Sequence, residues 1–552
     1  MQTHIDLHIR TQTLTQKQTL TQKQTPQQQS NHKRGNKTQK VEIPPMNLDT
    51  AKLKSQKLKS LRHNIPKIIM AVVVILIIFL LVMESVTISE ESGETPVVEL
   101  FGEKSRAFGD IIAPEDFDWR QYEGVVLDFI VENNINANIL YKESETFTEK
   151  TGIKVNIRSM DFNTMSEKIS MDFISKSGAY ELIYVDPYQT LQRFHNQLED
   201  LNRYEKDEKL PHIVNGLDEF KEEHLEVCSY IDGNHDKLYA IPFDSTSMIM
   251  FYRKDIFEKY KDAMVEDLGY EPIPGSSSFT WERYSDVSKW ISANVPKDEI
   301  QYGSLTMSAK HNSIYTEFST ILAAYGADYF VDDDMATFGT PKEKFIDALR
   351  MYKSLAMLNP QDAEDSNWSM TNEAFQNGEV AMMVNWDENA AAVENQEYSK
   401  VSGKVGYSIL PFGTSRSANI YGGSGIGINA NISDEKKLAS WLFIVWATSP
   451  YIQTKIMLEE DGGNMPTRMT LNRLIEAQYM AKLPHAYAAI RSQDKKYAYY
   501  RPKLEQGYEF ETLMEDELYR MLEENLNEET VYDEMSKGWE RILSQEKLLE
   551  ES

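Results

Sequence analysis

The sequence predicts an α/β protein with a parallel sheet, preceded by one N-terminal transmembrane helix. Three observations lead there. Apolar runs of strand length alternate with helical stretches from residue 125 onward. Ile68–Met83 (IIMAVVVILIIFLLVM) is an uncharged apolar run. Net charge changes sign across that run: residues 1–67 carry 13 Lys+Arg against 3 Asp+Glu, whereas the whole 552-residue chain carries 58 against 86.

Composition bounds the rest. With 41% hydrophobic and 26% charged residues, the chain is neither disordered nor collagen-like, and it is long enough for two to four domains. A net charge of −28 argues against a broad nucleic-acid-binding face, so no nucleic-acid partner is expected. Cys228 is the only cysteine, which excludes an intramolecular disulfide and a thiolate metal cluster.

The elements are taken in order. Residues 1–67 form a disordered basic tail. Within it, 1–45 is Gln/Thr/Lys-rich, with TLTQKQ at 13–18 repeated at 19–24, and cannot bury enough apolar area to fold. That segment is either a cytoplasmic tail or a stretch upstream of a start at Met46. Residues 68–83 read as a signal anchor, with Lys52, Lys54, Lys57, Lys59, Arg62 and Lys67 keeping their side cytoplasmic and the acidic part outside the cell. Residues 84–122 read as a linker. Val125–Ile130 is a buried strand, 138–150 a helix ended by Thr151-Gly152, Ile153–Ile157 a strand, Met160–Lys176 a helix and Tyr180–Val185 a strand. This alternation implies parallel strands with right-handed crossovers and ligands at strand carboxyl ends, where Asp186 falls.

Further on, strands at Lys237–Pro242 and Met248–Tyr252 flank the polar break Phe243–Ser247, read as a hinge or ligand-facing turn. Thr280 caps a helix beginning near Trp281, helices follow at 312–326 and 341–358, and 509–552 forms a terminal acidic helical stretch.

Motifs then accumulate in a fixed order: F-x-E-K-T-G-I-K-V at 147–155, YELIYVDPYQTLQRFHNQLEDLNRY at 180–204, and LYAIPFDSTSMIMFYRKDIFEKY at 238–260. TWERY at 280–284, EAFQNGEVAMMVNWDENAA at 373–391, KVGYSILPFG at 404–413, YGGSGIGINANISDEKKLASWLFIVWATSP at 421–450 and GGNMPTR at 462–468 complete the series. Together they resemble the extracellular solute-binding proteins of bacterial ABC importers, the carbohydrate-binding family (family 1 type), over about 123–510. The lipidated cysteine of lipoprotein members is absent here.

The resemblance implies a two-lobed periplasmic-binding-protein-like fold (type II). Residues 123–243 and 417–458 would form lobe 1, and 247–415 with 459–552 lobe 2, hinged near Phe243–Ser247 and Arg416–Tyr421. It implies a carbohydrate ligand, ABC permease subunits as partners, a monomeric receptor, and no cofactor, metal or enzymatic activity.

A sugar offers apolar C–H faces and a girdle of hydroxyls, so its site needs aromatic plates beside fixed polar groups. Trp386, with Asp387 next to it, supplies both, or Trp386 is a core indole. Tyr421, Gly422 and Gly423 permit close backbone approach, or merely make a turn. Asp186 and Asp244 accept hydroxyls or serve turns. Trp281, Tyr325, Trp368, Asn464 and Arg468 are further candidates for the cleft, Trp368 from a polar loop. Asp332-Asp333-Asp334 lacks spaced calcium ligands and reads as a solvated turn. No Walker lysine, HExxH or G-x-S-x-G is present. A glycosidase, which needs two carboxylates at set separation, and a membrane-anchored signalling or structural module are the alternatives from other classes.

Overall fold

The computed structural model describes residues 108–231, 234–331, 335–360, 366–459 and 462–550. They lie in one compact unit spanning Glu94–Ser552. The expected basic tail, the membrane helix at 68–83, most of the linker and Asp332–Asp334 lie outside the described residues. Among the described residues, no helix is long and apolar enough to cross a membrane.

The first lobe is built on a five-stranded sheet. Strand β1 (Val126–Glu132) leads into α1 (Ile135–Thr151), β2 (Lys154–Met160), α2 (Phe162–Ser175) and β3 (Leu182–Val185). Asn134 caps α1 by accepting from Ala137 N–H, and Gly152, at φ 72°, ends it in the left-handed conformation that glycine adopts without cost. β1 pairs parallel to both β2 and β3, as the alternation of strand and helix predicts. Strand β4 (Ile241–Asp244) lies at the far edge. It begins later than the predicted 237–242 run and extends into the polar break. Leu238 and Tyr239 bond to loop groups at Leu201 and Ser229, and the ladder starts only at Ile241. Pro242, lacking an N–H, is tolerated because this is an edge strand.

The second lobe carries a four-stranded sheet. Its strands are β5 (Met248–Arg253), β6 (Tyr302–Ser304), β7 (Val380–Trp386) and β8 (Val405–Ser408), in the order β6-β7-β5-β8. Two short elements join the sheets. Strand β9 (Asn419–Ile420) pairs with β11 (Ala498–Tyr499), and β10 (Ser424–Ile428) returns to the first sheet between β3 and β4, antiparallel to both.

Each lobe has its own core. Phe129, Phe147, Phe443 and Trp446 pack in the first; Trp281, Phe318, Tyr352 and Trp539 in the second. The predicted Thr280 cap holds, accepting from Arg283 N–H ahead of the helix Trp281–Asn294. The terminal stretch forms two helices, Gly507–Glu523 and Glu528–Glu550, separated at Asn525 where φ is 50°.

Two expected lobe boundaries shift. Ala418 and Ile420 pack in the second core, so the return to lobe 1 falls at 421–423. The stretch 464–468 packs on the first lobe: Asn464 donates to Asn136 and Asp244, and Arg468 to the carbonyls of Val214 and Thr448.

Candidate ligand-binding cleft

β4 is antiparallel to β10, which is antiparallel to β3, so β1, β2, β3 and β4 all point the same way. Each reaches an acid at its carboxyl end: Glu132, Asp161, Asp186 and Asp244. Three of these, Glu132, Asp186 and Asp244, line one cavity. The second lobe closes it with Trp368, Trp386, Glu388, Asn312 and Arg501.

The strand-end acids are held by different means. Asp244 accepts from three side chains: Tyr184 O–H (2.7 Å) and Asn134 Nδ2 (3.2 Å) donate to one oxygen and Asn464 Nδ2 (2.8 Å) to the other. Asp186 accepts the backbone N–H groups of Tyr188 and Gln189 at 2.9 and 2.7 Å through one oxygen. Burial raises the pKa of both, against the hydrogen bonds on Asp244 and the Arg501 charge near Asp186. Glu132 is pushed up to about 8, mainly by burial and then by the charges of Asp244, Asp186 and Asp161. Asp161 behaves oppositely. His311 Nε2 sits 3.2 Å from its carboxylate, bridging the lobes, and holds its pKa down.

The facing wall is aromatic. Trp386 is the last residue of β7 and only 7% exposed. Its ring meets that of Trp368 edge-on, with centroids 5.8 Å apart and planes at 68°. Trp368 is not in a loop, as expected from its polar surroundings; it begins the helix Trp368–Gln376, which Asn367 caps. It also touches Phe162 of the first lobe, at 6.0 Å between centroids. Gly422 is required for this packing, because a Cβ there would lie 2.5 Å from Trp386 Cζ3.

Thus Asp186, Asp244, Trp368, Trp386 and Gly422 meet at one cavity. The other sequence candidates do not line it. Asp387, next to Trp386, is fully buried and accepts from Thr246 O–H (2.9 Å) and Ser247 N–H (2.7 Å) in the connection between β4 and β5; burial pushes its pKa up to about 7. Asn464 supports Asp244. Tyr421 stacks on His224 at 4.8 Å, and Gly423 gives its hydroxyl room.

Three further candidates lie away from this cavity. Trp281 is wholly buried in the second core, because the first turn of its helix faces inward. Tyr325 donates to Glu282. Arg468 is spent on two carbonyls and lies over Phe220, 5.0 Å from the ring centroid.

Sequence reasoning missed Glu132, Asn312 and Arg501. Glu132 ends a buried strand, the same signal that marks Asp186. Asn312 and Arg501 carried no local signal.

The closed cavity measures about 20 Å³, room for a single water. A sugar ring enters only if the lobes part. The connections between lobes lie side by side: Ser247 bridges Tyr421, and Gly422 N–H donates to Thr246 carbonyl at 3.0 Å. A larger hollow of about 630 Å³ shares Arg501 with it, and its other walls include Tyr188, Glu222, Glu223, Tyr500, Lys495 and Lys503. It lacks the paired indoles and the strand ends, so the smaller cavity is the stronger candidate. Among the described residues no group of side chains is arranged to hold a metal ion.

Comparison with known proteins agrees with this geometry. Residues 144–486 match the family model described as bacterial extracellular solute-binding protein. A mannitol-binding protein of Pseudomonas aeruginosa is 25% identical over 341 residues, 60% of this chain and 70% of that protein. A probable amino-acid ABC transporter periplasmic-binding protein of Sinorhizobium fredii is 21% identical over 388 residues, 69% of this chain and 81% of the relative. The ribitol complex of an ABC transporter solute-binding protein from Agrobacterium radiobacter K84 superposes with a TM-score of 0.63 at 22% identity, covering 76% of this chain and 99% of that one. A two-lobed α/β body, a cleft at the carboxyl ends of parallel strands and a family match over most of that body lead to one conclusion: this chain belongs to the bacterial extracellular solute-binding protein family.

Proposed function

We propose that the chain is the substrate-binding receptor of an ABC importer and takes a mono- or oligosaccharide, or a related polyol, between its lobes. The observation that carries this reading is the pairing of the Trp368–Trp386 corner with the strand-end carboxylates across one cavity. Indoles suit the C–H faces of a sugar and carboxylates accept its hydroxyls. The mannitol-binding relative supports a polyhydroxylated ligand. The receptor binds without altering its ligand, and its closed lobes present a surface to permease subunits. The apolar run at 68–83, with the basic cluster before it and the acidic body after it, supports a single-pass anchor with the body extracellular. Monomeric action suits a clamp whose two lobes come from one chain.

The test is a thermal-shift screen of the detergent-solubilised full chain across polyols, mono- and oligosaccharides. Binding to the native state alone raises the melting temperature. A shift with at least one class, without cleavage products, is expected; no shift across the panel rejects the reading.

A further inference from the structure

The cleft is richer in carboxyl groups and hydrogen-bond acceptors than a neutral sugar needs. Resting on the receptor reading above, we propose that the preferred ligand is a hydroxylated compound bearing a protonated amine, an amino sugar or aminopolyol unit, seated between the strand-end carboxylates and the two indoles.

Four carboxylates from both lobes line the cavity: Glu132, Asp186 and Asp244 from the first, Glu388 from the second. The one basic side chain among them is Arg501. It is already committed, donating to Glu511 at 2.9 Å and stacked 4.0 Å from the Tyr188 ring centroid. Glu511, in turn, accepts from Asn312 Nδ2. The lining therefore keeps an excess of carboxyl groups over basic groups after its arginine is counted.

A separate observation concerns unmade hydrogen bonds. Asn312 lines the cavity, is 1% exposed, and spends its amide on Glu511 and Glu515; its Oδ1 is buried with no partner. Glu388 Oε2 is likewise buried without a partner. The Asn312 oxygen can only accept, and the Glu388 oxygen accepts once its carboxyl gives up its proton to a bound cation. The unpartnered nitrogen donors in the same lining are Trp368 Nε1 and Arg501 Nε. Neutral hydroxyls bring one donor with two acceptor lone pairs, whereas an ammonium brings three donors and no acceptor. An ammonium satisfies the acceptors and offsets the charge together; the remaining donors serve the hydroxyls.

The aromatic corner fits the same cation. Trp368 and Trp386 meet at 68°, so a group in the angle faces one indole and touches the edge of the other. Tryptophan faces are the strongest aromatic partners for cations, most of all where water is excluded. Burial first, and then the neighbouring acids, raise the pKa values of Glu132 and Glu388 in the ligand-free protein, so an ammonium seated there takes the place of protons that these carboxyls hold.

The experiment is calorimetric titration of the full chain at pH 7.5 with matched pairs: glucosamine and glucose, galactosamine and galactose, 1-amino-1-deoxyglucitol and glucitol, and the glucosamine disaccharide with its N-acetylated, uncharged form. Spermidine and Ca²⁺ are run alongside. The amine member of at least one pair is expected to bind about 10-fold or more tightly than its neutral partner. Glu388→Gln and Glu132→Gln, each checked for native circular dichroism, are expected to reduce that preference about 10-fold, the affinity lost for the amine member exceeding any lost for its neutral partner.

Equal or tighter binding of the neutral members overturns the cation proposal and leaves the sugar receptor standing. Unchanged preference in both variants also overturns it. Spermidine or Ca²⁺ binding more tightly than every sugar rejects the hydroxylated ligand as well. Binding by no compound rejects both readings.

Discussion

The two walls of the cleft are made differently. The first-lobe wall is a row of strand ends, where backbone direction alone brings Glu132, Asp161, Asp186 and Asp244 to one edge. The second-lobe wall is assembled from distant pieces: Trp386 at the end of β7, Trp368 at a helix start, Asn312 at another, and Arg501 beyond the last strand. The first is regular, polar and set by sheet topology; the second is aromatic and set by packing. In a clamp of this kind, the regular wall fixes where polar groups are met, and the packed wall shapes what they close against.

The comparison can be broken most strongly through the core behind the packed wall. Trp281→Ala should lower stability by about 3–5 kcal/mol by leaving a cavity in the second core. Once folded, the variant should bind within about 3-fold of the parent. Denaturant melts with titration check this, and a 100-fold affinity loss in a folded variant would put Trp281 back at the ligand.

Trp386→Ala removes the wall itself. Affinity for the best ligand should fall about 100-fold, equivalent to roughly 2.7 kcal/mol, and most of the ligand-induced thermal shift should vanish. Gly422→Ala tests the same wall indirectly. The new Cβ displaces the Trp386 indole, so affinity should drop about 10-fold with a stability cost of about 1–3 kcal/mol. An unchanged affinity would mean that the indole orientation does not matter.

The smallest effect concerns the polar wall and pH. Glu132 (about 8), Asp387 (about 7) and Glu511 (about 7) hold protons in the folded protein that the unfolded chain releases near the ordinary carboxylate range. Their contribution to stability is complete below that range and is lost as pH rises through 7 to 8. The melting temperature of the ligand-free protein should therefore fall between about pH 5.5 and 8. Glu132→Gln should flatten that slope; a slope unchanged by the substitution would remove Glu132 from the buried set. His485, held down at about 4 by burial, acts in the other direction at the acid end.

Much of the polar wall was legible before folding. Apolar strands interrupted by helices gave parallel order, and parallel order makes a strand-end acid such as Asp186 a site residue by geometry. Asp244 followed from the polar break between two strands. Glu132 obeyed the same rule and was missed because its strand extends two residues past the apolar run Val125–Ile130. The glycines at 422 and 423 signalled close approach, although what approaches is Trp386 in one case and the Tyr421 hydroxyl in the other.

The sequence by itself determined the α/β alternation, the acidic body, and the family to which its ordered motifs belong, because these are local patterns of period, charge and spacing. Only the tertiary structure decided which tryptophans face the cleft. Trp281 and Trp386 both sit at element boundaries beside polar residues, yet one is sunk in a core and the other walls a cavity. That choice depends on which side of an element meets the opposite lobe, and no window of sequence contains the opposite lobe. Arg501 and Asn312 join the site for the same reason: contacts across hundreds of residues are made by packing, not by neighbours in the chain.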